Sequence, residues 1–120
     1  HGIQTIGLFI IGFPGETDRT VEDTVNFINR ISPTFYRLHP WECDAGTLVW
    51  QKREEYGLAL KNGIWKHNTM ALTDANLKIE EAKAKIYNSC SIDKADFAFA
   101  LQLLNEGIPV ERIKEIYKGL

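Results

Sequence analysis

An apolar run near the start of the chain fixes the kind of sheet that it can form. Residues 3–12 are mostly Ile, Leu and Phe, with little alternation between apolar and polar side chains. A strand with this pattern is typically buried on both faces, as in a parallel sheet covered by helices. Phe13-Pro14-Gly15 ends the strand, and the uninterrupted apolar stretch, residues 6–13, is far too short to span a bilayer.

A helix and a second strand are predicted directly after this run. The helix extends from about Asp18 to Ile31 and ends before Pro33, because apolar residues recur there at helical spacing. Its apolar positions are Val21, Val25, Ile28 and Ile31, and its possible N-caps are Thr17, Asp18 and Thr20. Residues 34–42 form the second predicted strand. The order strand, helix, strand indicates a right-handed crossover and a parallel pair.

The rest of the chain is mostly helical by pattern. A short helix is predicted over residues 48–56, ended by Gly57, and residues 58–70 are irregular or form a hairpin that turns at Asn62-Gly63. A long helix capped by Thr73 runs to about Asn88, with an apolar face of Ala75, Ile79, Ala82 and Ile86. Two further helices are predicted over residues 93–105 and 109–118. The fold class is therefore α/β, followed by a helical tail over residues 71–120.

The two predicted strands are too few for the sheet that their composition requires. A parallel sheet with both faces covered needs more strands, so neighbouring strands are expected outside this sequence. The chain also begins at His1, and its only methionine is Met70. We therefore expect a fragment of a larger protein, with the rest of its own polypeptide as its first partner and with self-association through uncovered apolar edges.

Composition excludes several classes of function. The chain has 120 residues, 44% of them hydrophobic and 25% charged, with a formal net charge of −2. Lys and Arg form no basic stripe, so neither nucleic acid nor a membrane surface is an expected partner. Cys43 and Cys90 are too far apart for a metal-binding run and too few for a disulfide framework. No metal site is predicted, and the expected setting is reducing and cytoplasmic.

The segment Gly12-Phe13-Pro14-Gly15-Glu16-Thr17 is the best candidate for a binding site. It lies between the first predicted strand and the helix, at the carboxyl end of the strand. Ligands of parallel α/β folds bind at this edge of the sheet. Glycines there let a ligand approach the backbone, and the helix start offers free amide donors. A purely structural role, as a tight connection capped by Thr17, remains the alternative.

The run from Gly7 to Thr17, followed by Thr24 and Phe27, resembles a late barrel strand of the radical S-adenosylmethionine superfamily. Gly12 lies four residues before Glu16, one more than in the commonest form of that family's motif; the Pro-Gly-Glu-Thr variant resembles cobalamin-dependent members. The segment from Tyr36 to Trp50 is similar to the final strand and turn of the same barrel. The resemblance covers about residues 2–70 and implies the last strands of a partial parallel (β/α) barrel.

The resemblance also implies a function. Members of the family are oxidoreductases or methyltransferases that use S-adenosylmethionine and a [4Fe–4S] cluster, in some cases with cobalamin, and the cofactors carry the chemistry. Ile11, Gly12, Phe13 and Glu16 would line the adenosyl group. The family's closely spaced cysteine triplet is missing from this chain, so the chain alone is expected to bind no cluster and to be inactive, and its catalytic residues remain unknown.

Polar residues on the second strand suggest where a substrate would bind. Alternation places Phe35, Arg37, His39 and Trp41 on one face. Burying Arg37 and His39 against packed helices would be costly, so they are expected to face a polar barrel interior that holds a small-molecule or peptide substrate. The alternative is that both are solvated on an exposed edge strand. His67 is a further substrate-side candidate, whereas Trp65 is expected to pack under a loop. A non-catalytic α/β interaction module remains the alternative function.

Overall fold

The computed structural model of the chain describes residues 4–92 and 94–118, and the side chains of residues 94–97 and 118 are outside the description. The described part is a mixed α/β structure with a three-stranded parallel sheet and a separate two-stranded hairpin. The predicted α/β class is therefore confirmed. None of the described helices is both long enough and apolar enough to cross a membrane.

The first strand, helix and second strand form the predicted crossover unit. Strand β1 spans Ile6–Ile11, helix α1 spans Asp18–Ile31 and strand β2 spans Phe35–Pro40. The two strands pair in parallel, in a register that sets Ile6 beside Phe35 and Ile11 beside Pro40. Thr17 caps α1, with Thr17 and Thr20 each accepting from the other's backbone amide, so the predicted start of this helix is confirmed.

The segment after β2 contains two short helices and a hairpin. Helices α2 (Leu48–Gln51) and α3 (Arg53–Tyr56) replace the single predicted helix, because Lys52 leaves helical geometry between them. Strands β3 (Ala59–Lys61) and β4 (Ile64–Lys66) pair antiparallel around Asn62 and Gly63, which both have positive φ. The hairpin predicted at Asn62-Gly63 is confirmed.

Helix α4, Leu72–Lys85, begins earlier than predicted. Its N-cap is Ala71, whose amide donates to the Asp74 carboxylate, so the prediction that Thr73 caps the helix is wrong. A carboxylate at the third helical position can satisfy the cap residue's amide from within the helix, which removes the need for a capping hydroxyl. The helix also ends at Lys85 rather than Asn88, because Ile86 is extended.

A third strand of the sheet comes from the later part of the chain. Strand β5, Cys90–Ser91, pairs in parallel with β2 and gives the strand order β1-β2-β5. The expectation that all neighbouring strands lie outside the sequence is therefore wrong for β2. A strand of two residues has too little pattern to be detected from sequence. Helices α5 (Lys94–Asn105) and α6 (Val110–Lys118) follow, and Asp93, the predicted helix start, lies outside the described residues.

The sheet separates two apolar clusters. One face packs against α1 and α4 and includes Ile11, Tyr36, Leu38, Ala75 and Ile79. The other face packs against α5 and α6 and includes Phe35, Cys90, Ile92 and Ile113. The predicted alternation on β2 is confirmed for Phe35, Tyr36 and Leu38. The first cluster contains residues from both sides of position 70, so β1, β2 and α1 share one core with α4.

Candidate functional site at the carboxyl edge of the sheet

The glycine turn follows β1 and joins it to α1. Gly12 and Gly15 both have positive φ, at 104° and 103°, which an L side chain rarely adopts. The amide of Glu16 donates to the carbonyl of Phe13 over 2.8 Å and closes the turn. The turn therefore lies at the carboxyl edge of the parallel sheet, as the sequence predicted.

Glu16 is tied into this turn by both of its carboxylate oxygens. Oε1 accepts from the amide of Gly12 at 3.2 Å, and Oε2 accepts from the hydroxyl of Thr20. The side chain is half-buried, and burial raises the pKa of the Glu16 carboxyl, although the Gly12 hydrogen bond opposes that shift. In this geometry Glu16 holds the turn against the start of α1.

His67 connects the turn to the segment after the hairpin. The ring is only 4% exposed, and its Nε2 lies 2.7 Å from the carbonyl of Gly12. Its Nδ1 accepts from the amides of Thr69 and Met70, so Nε2 must carry the proton and donate to Gly12. The Thr69 hydroxyl in turn accepts from the amide of Gly15. Residues 67–70 thus hold both ends of the glycine turn.

Trp65 covers Gly12 from the same side. Its ring stacks on His67 with the planes 5° apart, and its Nε1 donates to the carbonyl of Trp41 over 2.7 Å. A Cβ added to Gly12 would lie 2.6 Å from the Trp65 ring, so only glycine fits here. Trp65 is almost fully buried, which confirms its predicted packing role. Trp65 therefore occupies the space beside the Gly12 backbone that a ligand was expected to approach.

The other two predicted adenosyl contacts differ in exposure. The side chain of Ile11 is fully buried in the core under α1 and α4, so only its backbone faces the edge of the sheet. Phe13 is half exposed and meets Trp41 edge to face, with ring centroids 5.6 Å apart. Of the four predicted residues, Phe13 is the one that presents a large free surface to a ligand.

The second part of the site is an open face of the sheet. Leu8 and Ile10 are 71% and 60% exposed, although they lie on a parallel strand. In register they lie beside Arg37 and His39 on β2. These four side chains line an open groove of about 380 Å³, together with Phe9 and Glu42. Sequence reasoning placed Arg37 and His39 together but missed Leu8 and Ile10, which period-two alternation along β1 would have indicated.

His39 and Glu42 form the rim of this groove. Nδ1 of His39 lies 2.6 Å from the carbonyl of Pro40, to which it must donate. Nε2 lies 3.5 Å from the Glu42 carboxylate. Period-two alternation along the second strand, predicted to run to residue 42, would place Glu42 on the face opposite His39. It does not, because β2 ends at Pro40 and alternation does not continue beyond it. Trp41 likewise leaves the predicted face and packs on Trp65 and Phe13.

Cysteine chemistry and metal binding receive little support from the described residues. Cys43 is half-buried, and burial followed by the nearby Asp44 carboxylate raises the pKa of its thiol, which disfavours the reactive thiolate. Cys90 is buried in the second apolar cluster. In the part of the chain that the structure describes, no three His, Cys, Asp or Glu side chains converge as a metal site would require.

Comparison with known proteins adds no relative. Neither a scan against protein-family models nor searches of curated proteins and of solved structures found a significant match to this chain.

Proposed function

We propose that this chain is the final part of the catalytic barrel of a radical S-adenosylmethionine enzyme, an oxidoreductase or methyltransferase that works in a reducing, cytoplasmic setting. One observation carries the proposal. Helices α1 and α4 cover one face of the parallel sheet, whereas α5 and α6 cover only the end of the other face near Phe35. Leu8 and Ile10 remain exposed on that second face, beside Arg37 and His39. The glycine turn stands at the carboxyl edge of this open face.

A partial barrel explains the two faces. In a (β/α) barrel the helices cover the outside of the sheet, and side chains on the inner face meet those of other strands or a ligand. The outer edge of β1 pairs with no strand among residues 4–92 and 94–118, so further strands have a place to join. We propose that such strands, from the same polypeptide, stand opposite Leu8 and Ile10 in the complete enzyme.

The turn fits an adenosyl group only in part. Both backbone polar groups of Gly12 are bonded within the chain, and Trp65 occupies the space beside its Cα. The Phe13 ring and the open side of Gly15 remain for a ligand, whereas Glu16 acts by holding the turn. When bound, S-adenosylmethionine and the [4Fe–4S] cluster would supply radical chemistry. The residues that hold the cluster would lie elsewhere in the polypeptide.

The proposal is tested first on the complete reading frame. We expect a closely spaced cysteine triplet upstream of His1, and an iron–sulfur absorbance in the complete protein purified without oxygen. That protein should cleave S-adenosylmethionine to 5′-deoxyadenosine, and Cys→Ala variants of the triplet should not. Cobalamin use would appear as its own absorbance after reconstitution. A complete reading frame without such cysteines, or cleavage by the present chain alone, would contradict the proposal.

A site variant tests the turn itself. Phe13→Ala in the complete protein is expected to weaken S-adenosylmethionine binding by about fivefold, because loss of one aromatic contact of this kind costs on the order of 1 kcal/mol. Phe27→Ala is the matched control, since Phe27 is also partly exposed but lies on α1 and packs against Phe9. Equal affinities for the two variants would leave Phe13 without a role in binding.

A non-catalytic interaction module is the second candidate. It is favoured by the internal hydrogen bonds of Gly12 and Glu16, which explain the glycine turn by structure alone. A titration of the complete protein with S-adenosylmethionine, together with an iron assay, distinguishes the two candidate functions. The complete protein binds S-adenosylmethionine if the first is correct, and it does not bind it, and contains no iron, if the second is correct.

A further inference from the structure

We propose that the groove in which Arg37 lies between Leu8 and His39 binds a small organic anion with an apolar body. The anion site is inferred from the residues described here. The further statement that this anion is the substrate rests on the proposed function. The class of ligand would then be a carboxylate or phosphonate that carries a hydrocarbon or aromatic group.

Arg37 supplies the positive charge. Its side chain is half-buried, and its guanidinium makes no hydrogen bond or ion pair with the backbone and side chains that the structure describes. Partly burying a cation without a partner is unfavourable, because part of its hydration is lost without compensation. A guanidinium also presents paired N–H donors that match the two oxygens of a carboxylate or phosphonate. The missing partner of Arg37 is therefore an anion.

Leu8 and Ile10 supply the apolar surface. The parallel register places Leu8 beside Arg37 and Ile10 beside His39, so charged and apolar side chains are adjacent along the groove. Both side chains are more than half exposed to water. Covering them with a hydrocarbon group would remove apolar surface from water, which favours binding. A volume near 380 Å³ suits one small molecule.

The rim residues direct the anion to Arg37. Glu42 lies 3.5 Å from His39 but makes no ion pair with Arg37 among the described residues. An anion close to His39 would be repelled by the Glu42 carboxylate, whereas Arg37 pairs with no carboxylate among the described residues and is the more favourable position for it. The charged group of the ligand is thus placed at Arg37, and its apolar body lies over Leu8 and Ile10.

The test is a titration of the chain with hexanoate, followed by amide and methyl NMR shifts. We expect saturable shifts at Leu8, Ile10 and Arg37, and at least threefold weaker binding of hexanol, which has the same body without the charge. Arg37→Gln should weaken hexanoate binding to the level of hexanol. Arg19→Gln is the matched control, because it removes the same charge from an exposed position on α1 and should bind hexanoate like the unaltered chain.

Three outcomes would overturn the inference. Hexanol binds as tightly as hexanoate, Arg37→Gln leaves hexanoate binding unchanged, or the shifts cluster away from the groove. The titration is run at a chain concentration at which sedimentation shows a single copy, because self-association through the face of Leu8 would compete with hexanoate for the groove. Because the titration uses no cofactor, its failure leaves the cysteine and iron tests of the proposed function unaffected, and their failure leaves the anion site standing.

Discussion

The two faces of the sheet differ in what covers them. On one face, α1 and α4 bury Ile11, Tyr36 and Leu38 in a continuous apolar core. On the other face, α5 and α6 cover only the end near Phe35 and Cys90, and the part near the glycine turn stays open. The covered face stabilises the fold, and the open face is where a ligand or further strands would meet the chain. Substitutions at neighbouring positions can separate these roles.

Ile11 and Ile10 give the largest expected difference. They are adjacent on β1, but Ile11 is 0% exposed and Ile10 is 60% exposed. Ile11→Ala should lower the free energy of unfolding by about 2–5 kcal/mol, because it leaves a cavity in the core. Ile10→Ala should change it by less than about 0.5 kcal/mol. Urea unfolding measures both, and Ile11→Val gives a milder change of about 0.5–1.5 kcal/mol if Ile11→Ala does not fold. Equal losses would mean that the open face is covered in solution.

Gly12 and Gly15 separate backbone strain from packing at the turn. Both have positive φ, but a Cβ at Gly12 meets Trp65, whereas a Cβ at Gly15 meets no atom within 4 Å. Gly15→Ala should cost about 1–2 kcal/mol from strain alone. Gly12→Ala should cost a further 1–3 kcal/mol or so, because Trp65 must move. Thermal unfolding compares the two, and similar losses would show that Trp65 does not pack tightly on Gly12.

Self-association should depend on the open face. Leu8→Lys should shift the sedimentation of the chain toward that of a single copy, because a charge on this face opposes its burial between copies. The free energy of unfolding should change by less than about 0.5 kcal/mol, since Leu8 is exposed. Leu77→Lys on α4 is the control, as Leu77 is comparably exposed but lies away from the open face. If both substitutions act alike, association does not use this face.

Glu16 gives the smallest expected effect, and it depends on pH. Burial raises its pKa above the ordinary value of 4.5, so the folded chain binds this proton more tightly than the unfolded chain does. This residue's contribution to stability is therefore present below about pH 4.5 and falls as pH rises through the raised pKa. Glu16→Gln removes that dependence.

Relative to Glu16→Gln, the unaltered chain should thus be more stable at pH 4 than at pH 7. The difference should stay below about 1 kcal/mol, because Glu16 is only half-buried and partly screened by water. Urea unfolding of both proteins at the two pH values measures it. If the unaltered chain instead gains stability relative to Glu16→Gln on going from pH 4 to pH 7, the hydrogen bond from Gly12 lowers the pKa of Glu16 by more than burial raises it.

Local signals predicted most of the elements. Helix α1 was expected over the residues it occupies, and the hairpin turns at Asn62 and Gly63 as its sequence indicates. These features depend on neighbouring residues: a cap, a spacing, or two residues that tolerate positive φ. The start of α4 was missed by two residues, because the Asp74 carboxylate accepts from the amide of Ala71 and makes a capping hydroxyl at Thr73 unnecessary, which only the folded geometry shows.

The candidate site was predicted less completely than the fold. Sequence placed the glycine turn at the carboxyl edge of β1, and it placed Arg37 and His39 together. It did not reveal that Glu16 bonds to Gly12, or that His67 and Trp65 close over the turn from about fifty residues later in the chain. Contacts between segments so far apart leave no periodic pattern in the sequence.

By itself, the sequence determined the class of the fold, the crossover of β1, α1 and β2, and the position of the glycine turn. These follow from periodicity, caps and glycine content, which act within a few residues. Tertiary structure alone decided that β5 completes one side of the sheet, that Trp65 fills the space beside Gly12, and that Leu8 and Ile10 stay exposed beside Arg37. The physical reason is that the covered face of a strand depends on where helices distant in sequence pack. An apolar strand has the same sequence pattern whether or not helices cover both of its faces.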